Sequence, residues 1–213
     1  MYKFVILIPS YNEYFSLRKI IKNLYSSNHI LIMDDKSTDE TCTLKKKYKK
    51  IILITNKNRL GYENNLKKGF EILLKKKFSH IITFDADGEH HISNIKKVKN
   101  FIIKNNEIDL LIGNRSYLNR FSERIVSFFF NRKYKIIDPL SGLKVYKSSA
   151  LKKILNNAKE GFFLVDLLYS FLIKKKIVRN LEIISVKVDK RKTKAGSFLI
   201  SNIKILKCLK FLV

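Results

Sequence analysis

Nothing in this chain limits its fold more than the alternation of short apolar runs with lysine-studded amphipathic stretches. KFVILIP (3–9) is continuously apolar, and SLRKIIKNLYSS (16–27) then sets Leu17, Ile20, Ile21 and Leu24 at helical spacing. The pattern repeats through strands at 29–35 (HILIMDD), 51–55 (IILIT), 80–84 (HIITF) and 108–114 (IDLLIGN), separated by helical stretches at 38–50, 58–77 and 92–105. The stretch 38–50 opens on a capping-type Thr38 and an acidic first turn, which predicts a helix over its length. Apolar strands alternating with helices specify βαβ units, right-handed crossovers, and a mainly parallel sheet covered on both faces. The fold class is therefore α/β. Past residue 115 the pattern loosens into a basic aromatic helix (120–134), a turn and strand (136–146), an apolar helix (164–176) and an alternating strand (178–189). With no internal repeat and no linker, residues 1–190 read as one domain and 191–213 as a basic, apolar tail.

In such sheets ligands collect at the carboxyl ends of the strands, near a switch in strand order. The polar clusters fall there: PSYNE after the first strand, DDKSTDE after the second, DADGEHH after the fourth and GNR after the fifth. No G-x-G-x-x-G and no G-K-[ST] follows the first strand, which leaves out the dinucleotide and P-loop fingerprints. Asp85 and Asp87, two apart at a strand end, face one side of an extended segment and suit a hard divalent ion, Mg²⁺ or Mn²⁺. A solvated turn whose aspartates cap the helix at 92 is the structural alternative. His90 and His91 read as a solvated pair at that helix start.

The 44 Lys and Arg against 18 Asp and Glu give a net charge of +26. That balance favours anionic partners, although joint enrichment in Lys, Ile and Asn also fits a compositionally biased genome. A nucleic-acid binder is the class the charge alone invites. It lacks a groove-reading or base-stacking motif and leaves the acids on the rim unexplained. Cys42 and Cys208 stand in no metal-ligand spacing, so a reducing cytoplasm is expected. The first residues read as a strand and not a signal peptide. No run reaches the roughly 18 to 20 apolar residues of a spanning helix.

Six motifs in order, IPSYNE (8–13), DDKSTDET (34–41), NRLGYENNLKKGFE (58–71), TFDADGEHH (83–91), IGNR (112–115) and DPLSGLKVY (138–146), resemble family 2 glycosyltransferases of the GT-A fold. Within these the chain looks most like the polyprenyl-phosphate branch, which holds dolichyl-phosphate mannose synthases and undecaprenyl-phosphate sugar transferases. EGFFLVDLLYSFLIKKKIVRNLEIISVKV (160–188) is similar to that branch's closing helix and strand.

The resemblance implies roles. Pro9, Tyr11 and Glu13 line the base and ribose pocket, Asp35 bonds the base, and Asp85 faces the ribose and diphosphate. Asp85 and Asp87 hold the metal, and Glu89, where the branch commonly has glutamine, either joins them or is only an acid on the approach to the helix. His90 matches a residue often present in the pattern, and His91, where proline or aspartate is more usual, is given no role. Arg115 stands near a donor diphosphate or acceptor phosphate. Arg120 and Arg124, four apart on one helical face, are acceptor-phosphate candidates or plain surface charge. Asp138 orients a sugar hydroxyl or caps its turn. Arg191 or Lys194, in a blurred KRKTKAGSF motif, contacts the diphosphate.

The expected reaction is inverting transfer of a sugar from a UDP- or GDP-linked donor to a polyprenyl phosphate, at the cytoplasmic face of a membrane. Transfer to a saccharide hydroxyl, with Asp166 as base, is the alternative. The tail places Leu199, Ile203, Leu206 and Leu209 at helical spacing, which suits either an interfacial helix or a core-packing one. A membrane-protein partner is a further expectation.

Overall fold

The computed structural model describes residues 3–155, 163–186, 202–203 and 205–212. Seven strands form one sheet in the order β3-β2-β1-β4-β6-β5-β7. They are β1 (Phe4–Ser10), β2 (His29–Asp34), β3 (Ile52–Thr55), β4 (His80–Thr83), β5 (Leu110–Asn114), β6 (Lys144–Lys147) and β7 (Val178–Glu182). All neighbours pair in parallel except β6, which runs antiparallel to both β4 and β5. The helices are α1 (Tyr14–Leu24), α2 (Leu44–Lys47), α3 (Tyr62–Leu74), α4 (Asn94–Lys104), α5 (Phe121–Tyr134), α6 (Ser148–Ile154) and α7 (Phe163–Ile173).

The period of two along β1 explains the layering. Val5 and Leu7 join one core cluster with Leu66 and Phe70 of α3, Val126 and Phe130 of α5, and Leu167 and Phe171 of α7. Ile6 and Ile8 point the other way, into a cluster with Leu17 and Ile21 of α1 and Val98 and Ile102 of α4. The sheet is thus buried on both sides, as continuously apolar strands require. Strand order reverses beside β1, with β2 on one side and β4 on the other. The crevice above those two strands is the expected ligand position.

Two local readings change. The helix expected over 38–50 is a 3-10 turn, Glu40–Thr43, followed by the short α2. Its cap is Asp39, whose Oδ1 accepts from the Thr41 amide at 3.0 Å, rather than Thr38. Leu44 is α2's buried anchor and the rest of α2 is lysine, so too little apolar surface is available to extend it. The strand expected over 178–189 is ordered as β7 only to Glu182, and residues 187–189 lie outside the described residues. In the tail, Cys208 is buried in the α3/α7 cluster, and Ile205, Leu209 and Phe211 pack against it. The Tyr134 hydroxyl donates to the Phe211 carbonyl at 3.1 Å, which ties the tail to α5.

Candidate active site

The strand ends are tied into one rim by side chains of the loops. Asn12, at φ 53 after β1, donates its amide to Ser37 Oγ at 2.9 Å, and its Oδ1 accepts from the Thr38 amide at 2.8 Å. Asp39 accepts from the Tyr14 amide at 3.0 Å. An open pocket of about 460 Å³ lies over this junction, with Glu13, Asp39 and Asp87 in its wall. Glu13 begins α1 and accepts from Ser16 Oγ at 3.0 Å. Pro9 is within β1 and pairs with Met33. Tyr11 carries the Arg59 guanidinium over its ring, 4.0 Å from the centroid.

The two acids after β2 divide their work. Asp35 is buried, and its carboxylate accepts from the Leu60 and Gly61 amides at 2.7 and 2.8 Å and from Asn56 Nδ2 at 3.2 Å. It thereby orders the entry to α3. Asp34 is fully buried and bonds Ser37 through Oδ1, while its Oδ2 has no hydrogen-bond partner. A buried carboxylate oxygen without a donor is costly, so Asp34 joins the candidates.

After β4 the acids gather densely. Asp85 Oδ1 accepts from the Tyr62 hydroxyl at 2.7 Å. Its other oxygen lies against Gly142, where a Cβ would stand 1.7 Å from Oδ2. Only a glycine permits that approach, so Gly142 and Tyr62 together set the Asp85 carboxylate. Asp87 Oδ1 accepts from the Glu89 amide at 2.9 Å across Gly88, whose φ of 85 suits glycine. His90 is buried with neither ring nitrogen hydrogen-bonded, and Nε2 lies 3.9 Å from Asp85 Oδ2. Burial pushes the His90 imidazole below its ordinary value. His91, by contrast, is exposed and bonds Ser93 Oγ at 2.7 Å.

Arg115 closes the far side. Its Nε and Nη2 donate to Asp138 Oδ2 and Oδ1 at 2.8 and 3.1 Å. Nη1 lies 3.6 Å from Glu89 and 3.9 Å from Glu123. Burial works against its charge, but the hydrogen bond and charge of Asp138, with Glu123 and Glu89, outweigh it and raise the pKa. Lys144 is fully buried nearby and donates from Nζ to the Ser141 carbonyl. Burial lowers it to about 8, against the pull of Asp138 and Asp85. Glu123 also accepts from the Arg120 amide at 3.3 Å as α5 begins. Arg124 Nε donates to the Leu118 carbonyl at 3.2 Å.

The fold thus brings Asp85, Glu89 and Arg115 of the expected set into one cluster with His90 and Asp138, and puts Asp87 on the adjoining pocket wall. Asp166 is half-buried in the first turn of α7. Arg191 and Lys194 lie outside the described residues. The sequence reading missed Asp34, Arg59, Tyr62 and Lys144. Asp34 lies in DDKSTDET, Arg59 and Tyr62 lie in NRLGYENNLKKGFE, and Lys144 is a lone lysine within the apolar run GLKVY, so each had a signal to which no role was attached.

Among the described residues, no group of three or more His, Cys, Asp and Glu side chains converges as a closed metal cage. A hard divalent ion does not need one. Mg²⁺ is commonly held by one or two carboxylates and completed by substrate phosphates and water. The oxygen donors of Asp85 and Asp87 fit an ion of that kind.

The glycosyl transferase family 2 model matches residues 5–155. The chain belongs to this family. It is a glycosyltransferase with the GT-A fold. A UDP-N-acetylglucosamine–dolichyl-phosphate N-acetylglucosaminyltransferase of Methanococcus voltae is 28% identical, over 69% of this chain and 70% of its own. An uncharacterised protein of Methanocaldococcus jannaschii is 29% identical, over 80% of this chain and 75% of its own. Among solved structures, glucosyl-3-phosphoglycerate synthase of Mycobacterium tuberculosis, in complex with Mn²⁺, UDP and phosphoglyceric acid, superposes with a TM-score of 0.75. That likeness is at 12% identity and covers 99% of this chain and 78% of that one. A Pyrobaculum calidifontis mannosyltransferase in complex with GDP-mannose and Mn²⁺ gives 0.66, also at 12% identity, covering 99% and 69%. No helix among the described residues of this glycosyltransferase is long and apolar enough to cross a membrane.

Proposed function

We propose that this glycosyltransferase moves a sugar, with inversion, from a nucleoside diphosphate donor to a polyprenyl phosphate. The observation that carries the reading is the rim at the β1/β4 switch, where Asp87 lines the pocket behind the β1 loop, Asp85 precedes it by two residues, and Arg115 is held by Asp138. Pro9, Tyr11, Glu13, Asp35 and Asp85 are assigned to the nucleotide. Asp35 acts by shaping the loop before α3. Asp85 and Asp87 would hold Mg²⁺ or Mn²⁺, with Glu89 in reach of that cluster. The ion, when bound, supplies charge that stabilises the departing diphosphate.

Arg115 adds a fixed cation whose charge is secured by Asp138. The acceptor's phosphate oxygen forms the new bond to the anomeric carbon as the bond to the donor phosphate breaks. The electron pair leaves with the diphosphate. The acceptor is already an anion, so no proton has to be removed. Arg120 and Arg124, at the start of α5, are the proposed contacts to its phosphate, and Arg191 and Lys194 remain diphosphate candidates.

The dolichyl-phosphate acceptor in the name of the Methanococcus voltae relative supports a lipid acceptor. Transfer to a saccharide hydroxyl is the second reading, and Asp166, as the acid in the first turn of α7, would be its base. Radiolabelled UDP- and GDP-sugars, offered with polyprenyl phosphate with and without Mn²⁺, test both. Label in the organic phase that requires Mn²⁺ is expected. Label confined to water-soluble glycan would replace the first reading with the second.

A further inference from the structure

Helix α5 carries large apolar side chains on a buried row and on an exposed one. Its inner row, Ser122, Val126 and Phe130, is buried. Its outer row is Phe121, Ile125, Phe128 and Arg132, at steps of four and three, which keep one face, and Lys135 follows as the C-cap. On that face Phe121 is 74% exposed and Phe128 60%, with Phe129 beside them at 44%. Solitary exposed hydrophobics are ordinary, but three phenylalanines on one helix are not.

The tail meets α5 on its buried side, where Ser122 Oγ donates to Asn202 Oδ1. The charges around the patch have one sign. Arg124, Arg132, Lys133 and Lys135 are exposed, and the sole acid between 121 and 135, Glu123, is turned inward towards Arg115.

We infer that the outer face of α5 is a docking surface for an anionic lipid bilayer, with Phe121, Phe128 and Phe129 entering the interface and the flanking Arg and Lys meeting the headgroups. Aromatic and apolar residues bordered by cations are the composition of an interfacial helix. A second copy of this chain is disfavoured as the occupant. A two-fold contact would set these cations against themselves, on a chain of net charge +26. Arg120, the residue before Phe121, has its amide on Glu123, which also faces Arg115, so a bilayer on the stripe would bring a lipid-borne phosphate towards the rim. For that purpose the inference rests on the polyprenyl-phosphate reading. The test needs neither donor nor acceptor, so the two can fail separately.

The full chain is floated with vesicles of phosphatidylcholine alone or mixed with phosphatidylglycerol, both free of polyprenyl phosphate. The wild type should bind the anionic vesicles and release them as salt rises. Phe121→Ser with Phe128→Ser should lower the bound-to-free ratio by roughly tenfold or more. These side chains are exposed, and an unchanged thermal melt would confirm folding of the variant. The chain has no tryptophan, so Phe128→Trp adds a single reporter. Its emission should shift to the blue on anionic vesicles. Undiminished binding by the double variant, no binding by the wild type, or no shift in Phe128→Trp would overturn the assignment. So would a dimer that Phe128→Ser dissolves in a chain that does not bind vesicles.

Discussion

Arg115 and Asp138 form a two-pronged, largely buried ion pair, and the same Asp138 carboxylate also accepts from the Arg115 backbone amide at 3.2 Å. The residues come from the end of β5 and from the turn before β6, so the pair fastens the antiparallel strand to the rim. Removing one partner of such a pair leaves a buried charge uncompensated. Asp138→Ala should therefore cost about 3–5 kcal/mol in urea unfolding. Arg115→Lys keeps the charge but loses the fork and should cost less. Equal midpoints for Asp138→Ala and the wild type would show that the pair holds nothing together.

Asp85 has Gly142 directly behind it. In Gly142→Ala the new methyl would occupy the position of Oδ2, 1.7 Å away, and Asp85 must move. A displacement near an ångström at a reacting centre can cost on the order of a hundredfold in rate. The expected result is a fall in kcat of that order with the chain still folded. Unchanged turnover would mean that the position of Asp85 does not matter to the reaction.

Asp87 is assigned to the ion. Mn²⁺ with UDP or GDP should raise the melting temperature of the wild type, because a ligand that binds only the folded state stabilises it. Asp87→Ala should abolish that shift and the sugar transfer together. Retention of both would sink the metal assignment.

His80 predicts the acid limb of stability. Burial, and then the charge of Lys147, lower its imidazole from 6.5 to about 4. The unfolded chain therefore takes up a proton in a range where the folded one does not. The His80 contribution is complete above pH 6.5 and is lost as pH falls towards about 4. His80→Phe keeps a ring to stack on Phe4, now 5.2 Å away, and removes the titration. Its melting temperature should fall less between pH 6.5 and 4 than that of the wild type. Parallel curves would place the acid sensitivity elsewhere.

The family resemblance and the sheet were legible because both are local. IPSYNE and DADGEHH are contiguous, and their order along the chain carries the family pattern. Other parts of the rim were not legible. The two acids of DDK look equivalent in sequence, yet Asp35 turns to the Leu60 and Gly61 amides while Asp34 keeps a bare oxygen. His90 and His91 look like a solvated pair, but one is buried beside Asp85 and the other is exposed. Adjacent residues at a strand end face opposite ways, and which way matters depends on the element that packs there.

Read alone, the amino-acid order determined a sheet buried on both faces, because continuous apolar runs of strand length between amphipathic helices leave few other ways to bury them. It also determined that acids collect at the strand ends, since a crossover must leave each strand there. Tertiary structure decided the rest. The β4–β6 pairing brings Gly142 onto Asp85 across 56 intervening positions, as Thr83 Oγ1 donates to the Gly142 carbonyl at 2.8 Å. It decided that Arg115 answers Asp138 and that the phenylalanines of α5 divide between core and surface. Those outcomes depend on which distant elements meet, and no local propensity or spacing encodes that.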